Sequence, residues 1–436
     1  WPARPRSLIA QPASVGRDVF RDLPRGFRRL WAASAISNVG DGVRAVALPL
    51  LATELTNDPR LIAGVVVAER IPWLVFILPG GVWADRYDRR RLRVRLDLVR
   101  GVVGGLLALL VTCDVAASGW VFATAALLAA AESVVDSSSM ALVPSLVRRD
   151  QLERAGGVMS STELIGQALI GPPLGGLLFA TALAMPFGFD AVSFIAAAVV
   201  ASTIRGNFTA TPAPESGETE PPRSLKTDLA VAVRWLRAHT LLRNLALVSM
   251  LLGFLNLMHG AVFVIYARAE LGLGPVGVGL LLIAPAIGGS VGSIAAGALT
   301  RFHLTPVLTT SVIIGGAAIA TLAATDLPAV AAALLIIDAF TVLVWNVLTV
   351  ALRQRLIPDH LLGRVSAAYR FVVYLAMPIG AFIGGLIADQ ATIPTVFTVA
   401  GLGQIAAALI VATALRPTHT TDDNDGPYTT DSATKQ

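Results

Sequence analysis

Twelve times along this chain about twenty predominantly apolar residues follow one another, enough for a helix rising about 1.5 Å per residue to cross the roughly 30 Å hydrocarbon core of a bilayer. The runs are Phe27–Glu54, Leu61–Ala84, Leu96–Thr112, Trp120–Leu142, Ala155–Ala182, Phe187–Ile204, Leu245–Ala267, Val276–Leu299, Val307–Ala324, Ala329–Ala351, Val365–Ile387 and Ile393–Leu415. Each is too long and continuous for a barrel strand, and a lone strand in lipid would leave its backbone groups unpaired. Of the 436 residues 55% are hydrophobic and only 14% charged, against about 25% charged in soluble proteins. The expected fold class is therefore an all-α membrane protein of twelve transmembrane helices.

Basic residues set the orientation, because loops facing the cytoplasm collect them. Arg86, Arg89, Arg90, Arg91, Arg93 and Arg95 follow the second run, Arg148, Arg149 and Arg154 the fourth, and Arg205, Arg223, Lys226, Arg234, Arg237 and Arg243 the sixth. Arg301 follows the eighth and Arg353, Arg355 and Arg364 surround the loop after the tenth, whereas the opposite side keeps only Arg60 and Arg268. This asymmetry predicts a multi-pass protein of a bacterial-type inner membrane with both termini cytoplasmic. It also accounts for the formal charge of +5, so no nucleic-acid partner is called for. The single cysteine, Cys113, can form no intrachain disulfide. His239, His259, His303, His360 and His419 lack metal-ligand spacing, and no metal is expected.

Residues 1–26 contain Arg4, Arg6, Arg17, Arg21 and Arg25 but no continuous apolar core, and read as a basic cytoplasmic arm, not a cleavable signal peptide. Residues 27–205 and 241–415 hold six runs each. Between them, 206–240 reads as a cytoplasmic linker in which Leu225, Leu229, Val233 and Leu236 mark an amphipathic helix lying on the inner membrane surface. Residues 416–436, with Asp422, Asp423 and Asp425, read as a disordered cytoplasmic tail. The two six-run parts share a pattern. Leu146-Val147, Leu152 and Arg154 recur as Leu356-Ile357, Leu362 and Arg364; Gly171 and Gly175-Gly176-Leu177 recur as Gly380 and Gly384-Gly385-Leu386; Gly64 and Pro72 recur as Gly277 and Pro285. Matches in one order at nearly one offset predict two pseudo-symmetric six-helix bundles, an arrangement of transporters whose site lies between repeats.

Two motifs carry a resemblance. Gly81-Val82-Trp83-Ala84-Asp85-Arg86-Tyr87-Asp88-Arg89-Arg90 is similar to the signature loop of the major facilitator superfamily, Gly-x-Leu-Ala-Asp-Arg-x-Gly-Arg-Arg/Lys, with Trp83 and Asp88 replacing the Leu and second Gly. Gly171-Pro172-Pro173-Leu174-Gly175-Gly176 resembles the Gly-Pro-x-x-Gly-Gly motif of its antiporter branch, although a preceding glycine falls at Gly166 where Gln167 stands in the expected place. The fourth-helix arginine motif of some drug/proton antiporters is absent; that helix offers Glu132 and Asp136. Together with Gly40-Asp41-Gly42-Val43, these motifs resemble the subgroup of enterobactin-type siderophore exporters and macrolide or multidrug efflux proteins. The resemblance implies that helices 1, 4, 7 and 10 surround a central cavity. It also implies a gate in which Asp85 meets the start of the eleventh helix at Arg364-Val365, where the helix dipole favours a carboxylate, and a tight seal at Gly171, Pro172, Gly175 and Gly176. Gly81, Asp85, Arg86, Arg89 and Arg90 are the gating residues it assigns.

A charge at mid-bilayer costs about 3 kcal/mol on insertion scales, so each ionisable residue inside a run needs a reason. Asp41, Glu132 and Asp338 fall near the midplanes of their runs, and Asn256 and His259 share a face. Asp41 and Arg44, on one face with Ser34 and Asn38, read either as a self-neutralising ion pair or as a gate or proton site. Glu132 and Asp136, four apart, face the same way, and in a poorly solvated site such a pair reads as a proton or cation site; the alternative is an Asp136 that stays solvated or pairs with a loop arginine. Asp338, Thr341 and Trp345 share a face that reads as a cavity wall, with Trp345 stacking on a planar or cationic molecule, or else as a packed aromatic beside a hydrogen-bonded Asp338. The proton-coupling candidates are thus Asp41, Arg44, Glu132 and Asp136, and the substrate-cavity candidates Asn38, Asn256, His259, Asp338 and Trp345. Glu69, Arg70 and Glu163 are further ionisable residues within runs, while the third run is charged only at its start, at Asp97 and Arg100.

The expected function is secondary active transport by a monomer that uses no cofactor beyond the proton gradient and exports an amphipathic small molecule, such as a drug, antibiotic or siderophore, by alternating access. Uptake or lipid flipping by the same fold, and a non-transporting receptor or sensor, stay open as alternatives. Nucleotide-driven transport is not expected, because the chain has no Gly-x-x-x-x-Gly-Lys loop, and neither is an enzyme, because it has no metal cluster and no Cys/His pair.

Overall fold

The computed structural model describes residues 22–206, 208 and 234–414, and regular structure among them is helical throughout. The first half comprises α1 (Arg25–Leu55), α2 (Pro59–Arg86), α3 (Arg89–Thr112), α4 (Ser118–Leu146), α5 (Leu152–Glu163), α6 (Gly171–Thr181) and α7 (Met185–Ser202). The second half comprises α8 (Thr240–Gly260), α9 (Phe263–Ala269), α10 (Pro275–Leu281), α11 (Ile283–Leu299), α12 (Leu304–Leu322), α13 (Pro328–Leu356), α14 (Asp359–Leu375), α15 (Met377–Gln390) and α16 (Ile393–Ala414). Most of the expected basic arm, the expected amphipathic helix up to residue 233 and the acidic tail lie outside the described residues.

Among the described residues nine segments are long and apolar enough to cross a membrane, from Ser118–Leu146 through Ile393–Thr413, and the chain is a multi-pass membrane protein. The first three expected crossings coincide with α1, α2 and α3. These helices carry the densest charge, including Asp41, Arg44, Glu69, Asp97 and Arg100.

Proline explains where helices break. Pro172 and Pro173 have no N–H to offer the preceding turn, and the chain widens into a π turn at Leu164–Ile170, with the Gly171 N–H bonded to the Gly166 carbonyl. The wide turn absorbs one residue, which places the displaced Gly166 against Asn38 of α1. Pro285 and Pro378 follow the breaks at Leu282 and Ala376. The hydrophilic stretch after Gly80 is shorter as a turn than its composition suggests. α2 continues through Gly81, Asp85 and Arg86, and only Tyr87 and Asp88 separate it from α3, whose first turn Asp88 caps by accepting the Arg91 N–H at 2.8 Å.

Packing follows the repeated glycines. Gly171 and Gly175 of α6 lie against the backbone of Gly42 and Val43 in α1, and their counterparts Gly380 and Gly384 of α15 lie against Phe254 and Met258 of α8. A side chain at any of these positions would collide with main chain. The next glycine in each motif reaches the other half: Gly176 meets Pro275 at the start of α10, and Gly385 meets Pro59, Arg60 and Ala63 at the start of α2. The halves therefore join at the end remote from Ser202 and Thr240, where one apolar core contains Leu51, Ile62 and Phe187 together with Val262, Tyr266 and Phe397.

Candidate functional site

Inside the first half, Arg44 of α1 is 5% exposed and reaches acidic groups from four helices. Its Nη2 donates to Asp41 Oδ1 at 2.9 Å and to Glu132 Oε2 of α4 at 2.7 Å, its Nη1 donates to Glu69 Oε1 of α2 at 3.5 Å, and its Nε lies 3.8 Å from Asp190 Oδ2 of α7. Arg100 of α3 also donates to Asp41 Oδ1, lies 3.9 Å from Glu132 and 3.6 Å from Asp97, and places its guanidinium 3.8 Å from the centre of the Phe194 ring. Arg93 adds an ion pair to Asp97 at 3.4 Å and donates to the hydroxyls of Ser34 and Ser139.

Charge balance decides what this network can do. Counted as ionised, Asp41, Glu69, Asp97, Glu132 and Asp190 outnumber Arg44, Arg93 and Arg100 by two. Neither oxygen of Asp190 or Asp97 accepts a hydrogen bond from the described residues. Unbalanced charge in a low-dielectric interior is costly. Glu132 and Glu69 are each about one-fifth open at the side chain, while Asp136 and Glu163 are exposed nearby.

The structure thus brings Asp41, Arg44 and Glu132 together and leaves Asp136 outside the arginine contacts. It corrects the reading of the third helix. α3 starts at Arg89, so Asp97 lies about 12 Å along it, and Arg93, Asp97 and Arg100, spaced four and three apart on one face, are at most 1% exposed. That spacing is visible in the sequence but sits beside a run of loop arginines. The sequence does not single out Asp190, which stands near the start of its run; in the structure it is 1% exposed and turned toward Arg44.

The second half contains a cavity of about 370 Å³ lined by residues of α8, α12, α13, α14, α15 and α16. Asn256 and Trp345 line it as expected, and the Trp345 indole N–H donates to Ser249 Oγ at 3.2 Å. The three other candidates fall elsewhere. His259 is buried with its ring 5.8 Å from that of Phe397, away from the cavity lining, because the face it shares with Asn256 turns into the core near the break after Gly260. Asp338 is buried behind the lining residues Thr341 and Gln404, and its Oδ1 has no hydrogen-bond partner among the described residues. Asn38 packs at the α1 contact with the π turn instead of on this cavity. Of the loop residues, Arg89 donates to the Ala141 carbonyl at 3.0 Å and Arg90 to the Ile204 carbonyl at 2.6 Å, fastening the turn to the ends of α4 and α7. The side chains of Asp85, Arg86 and Arg364 lie outside those described.

Comparison with known proteins adds three kinds of likeness. The family described as transmembrane secretion effector matches residues 23–430. The enterobactin exporter of Citrobacter koseri is 29% identical over 63% of this chain and 64% of that protein, and macrolide efflux protein A of Streptococcus pyogenes is 23% identical over 88% and 94%. The multidrug efflux pump Tap of Mycolicibacterium fortuitum is 26% identical over 84% and 90%. In fold, the chain is similar to a bacterial homologue of the iron transporter ferroportin in its inward-facing state, with a TM-score of 0.69 at 17% identity over 90% of this chain and 98% of that one. A bacterial homologue of the lysosomal transporter Spinster, inward-facing and unoccupied, gives 0.67 at 14% identity over 89% and 95%.

Proposed function

Because the chain belongs to the transmembrane secretion effector family of the major facilitator superfamily, we propose that it exports an amphipathic small molecule in exchange for protons. It is a transporter, not an enzyme. The export direction is carried over from the relatives named for efflux and export. Our reading is of twelve crossings in two six-helix units, in a bacterial inner membrane with both termini cytoplasmic. The joined end would then face outward, which is the arrangement of an inward-facing state. Closure at the other end would engage Asp85 with the start of α14.

Proton coupling rests on one observation: the five carboxylates around three arginines in the first half. Arg44 joins α1 to α2, α4 and α7 through its acceptors. A proton arriving on Glu132 neutralises one acceptor, so Arg44 and Arg100 redistribute among those left. Proton binding thereby changes how four helices are held together, which is what alternating access needs from a driving ion. The part-exposed Glu132 and Glu69, with Asp136 and Glu163 outside them, provide the entry side.

The test is flux in proteoliposomes with an imposed pH gradient, comparing wild type with Glu132→Gln. Wild type should accumulate substrate against its gradient, and Glu132→Gln should retain substrate exchange while losing the gradient-driven component. Equal driven flux in both, or wild-type flux indifferent to the gradient, would remove proton coupling through this network.

A further inference from the structure

We propose that the second-half cavity binds the acidic group of an aromatic organic anion on Arg353 and Arg370. This deepens the export reading and rests on it, naming the substrate class: a carboxylate, sulfonate or phenolate on a planar apolar body. The charges that line the cavity are both guanidinium groups; no Asp or Glu is among its described lining residues. Arg353 is positioned by its neighbours, with Nε donating to the Thr349 carbonyl at 3.2 Å and its guanidinium 3.8 Å from the centre of the Tyr369 ring. That leaves its terminal nitrogens without an acceptor among the described residues. Arg370 is exposed and makes no ion pair or hydrogen bond with them. Two forks of N–H donors facing a largely apolar space match a planar acid better than any neutral or cationic group.

The aromatic residues point the same way. The Trp345 N–H is taken by Ser249, and the Tyr369 hydroxyl is shared with Ser249 at 2.6 Å and donates to the Leu245 carbonyl at 3.3 Å. Their polar ends are satisfied inside the protein, so the small part of these largely buried rings that meets the cavity is apolar. Tyr374, which packs edge-on against Trp73 of α2 with ring centres 5.9 Å apart, adds a third aromatic wall. A cation would find no carboxylate here. Asp338 is screened behind Thr341 and Gln404, and Asp41 and Glu132 of the first half are engaged by Arg44 and Arg100. The cavity volume of about 370 Å³ falls at the small end of ligand pockets, which suits a molecule of a few rings.

Fluorescein and rhodamine 123 share a xanthene skeleton and differ in charge. Their binding to the full-length protein in nanodiscs, read by fluorescence anisotropy, isolates the charge preference. Fluorescein should bind wild type at least about tenfold more tightly than rhodamine 123, the gain of one charge-assisted contact. Arg370→Gln should erase that preference and Arg370→Lys restore part of it, which separates charge recognition from damage to the fold. Equal binding of the two dyes, preference for rhodamine 123, or fluorescein binding unchanged in both Arg370→Gln and Arg353→Gln would overturn the proposal. Gradient-driven flux of whichever dye binds, with Glu132→Gln beside it, separates the two readings. Arginine-dependent binding without driven flux upholds the anion site and removes the transport role assigned to it. Driven flux of rhodamine 123 alone upholds export and overturns the anion site.

Discussion

In the first half, Arg44, Arg93 and Arg100 draw carboxylates from several helices into one buried cluster. In the second half Arg353 and Arg370 line an open cavity, and the buried Asp338 and His259 stand apart from any ion pair among the described residues. The glycine contacts are nevertheless equivalent, α6 on α1 and α15 on α8. One packing plan thus supports two kinds of interior. In our reading, the charges that hold one another together serve reversible proton binding, and those left facing a void serve a ligand.

The largest effect should come from Arg44→Ala. It leaves Asp41, Glu69, Glu132 and Asp190 without their shared cation, and breaking a buried pair by removing one partner costs about 3–5 kcal/mol. Thermal unfolding in detergent should show a large fall in midpoint or no monodisperse protein. Arg370→Gln, at an exposed position, should leave the midpoint close to wild type. Similar midpoints for the two variants would break the contrast between the halves. Next in size are Gly171→Val and Gly380→Val. Each drives a branched side chain into the backbone of the neighbouring helix, and overpacking costs about 1–3 kcal/mol. Matching losses would sharpen the structural equivalence; tolerance at one site would show that the two crossings are packed differently. Asp338→Asn should cost least of the buried changes and leave the midpoint at or above wild type, since it removes an unpaired carboxylate. A fall as large as that of Arg44→Ala would mean that Asp338 has a cationic partner in the folded protein.

The helices are legible in the sequence because lipid imposes length and apolarity on them, and Asp41, Arg44 and Glu132 stand out as charges amid apolar residues. Arg93 does not. It continues a row of loop arginines, and only the start of α3 at Arg89 and the opposing Ser34 and Ser139 reveal that it is buried. Asn256 and His259 show a second kind of limit. Their spacing fixes a shared face of α8, but which part of that face meets the cavity depends on how α15 and α16 cross it, and that is tertiary information. Asp85, the gate residue of our reading, is legible as a motif, whereas the partner we assign to it belongs to another conformation of the chain.

The smallest expected effect tests the joined end of the molecule, where charge is exposed instead of buried. Arg268 Nη1 donates across the halves to Glu54 Oε1 and Thr53 Oγ1, both at 2.6 Å, and Arg60 bridges Asp58 at 2.8 Å and Asp389 at 3.5 Å. The two arginines that the sequence leaves on this side both serve the junction. Their side chains are one-third to one-half exposed, and such pairs contribute about 1 kcal/mol or less and are weakened by salt. Arg268→Gln should therefore shift the balance toward separation at this end by no more than about fivefold. Ala63→Cys, opposite Gly385, reports it in a Cys113→Ser background through its rate of labelling by an impermeant maleimide. High salt should raise the wild-type rate in the same direction. Mild acid should leave the Asp58–Arg60 contact at the start of α2 in place: hydrogen bonds from the Arg60 side chain and backbone hold the Asp58 carboxyl below its ordinary value. The part of the junction it supports is present at neutral pH and is lost only as pH falls through that lowered value. Labelling that responds to mild acid but not to salt would place proton sensitivity at this junction as well. Labelling that responds to neither would leave Gly176 and Gly385 packing to hold the halves together unaided.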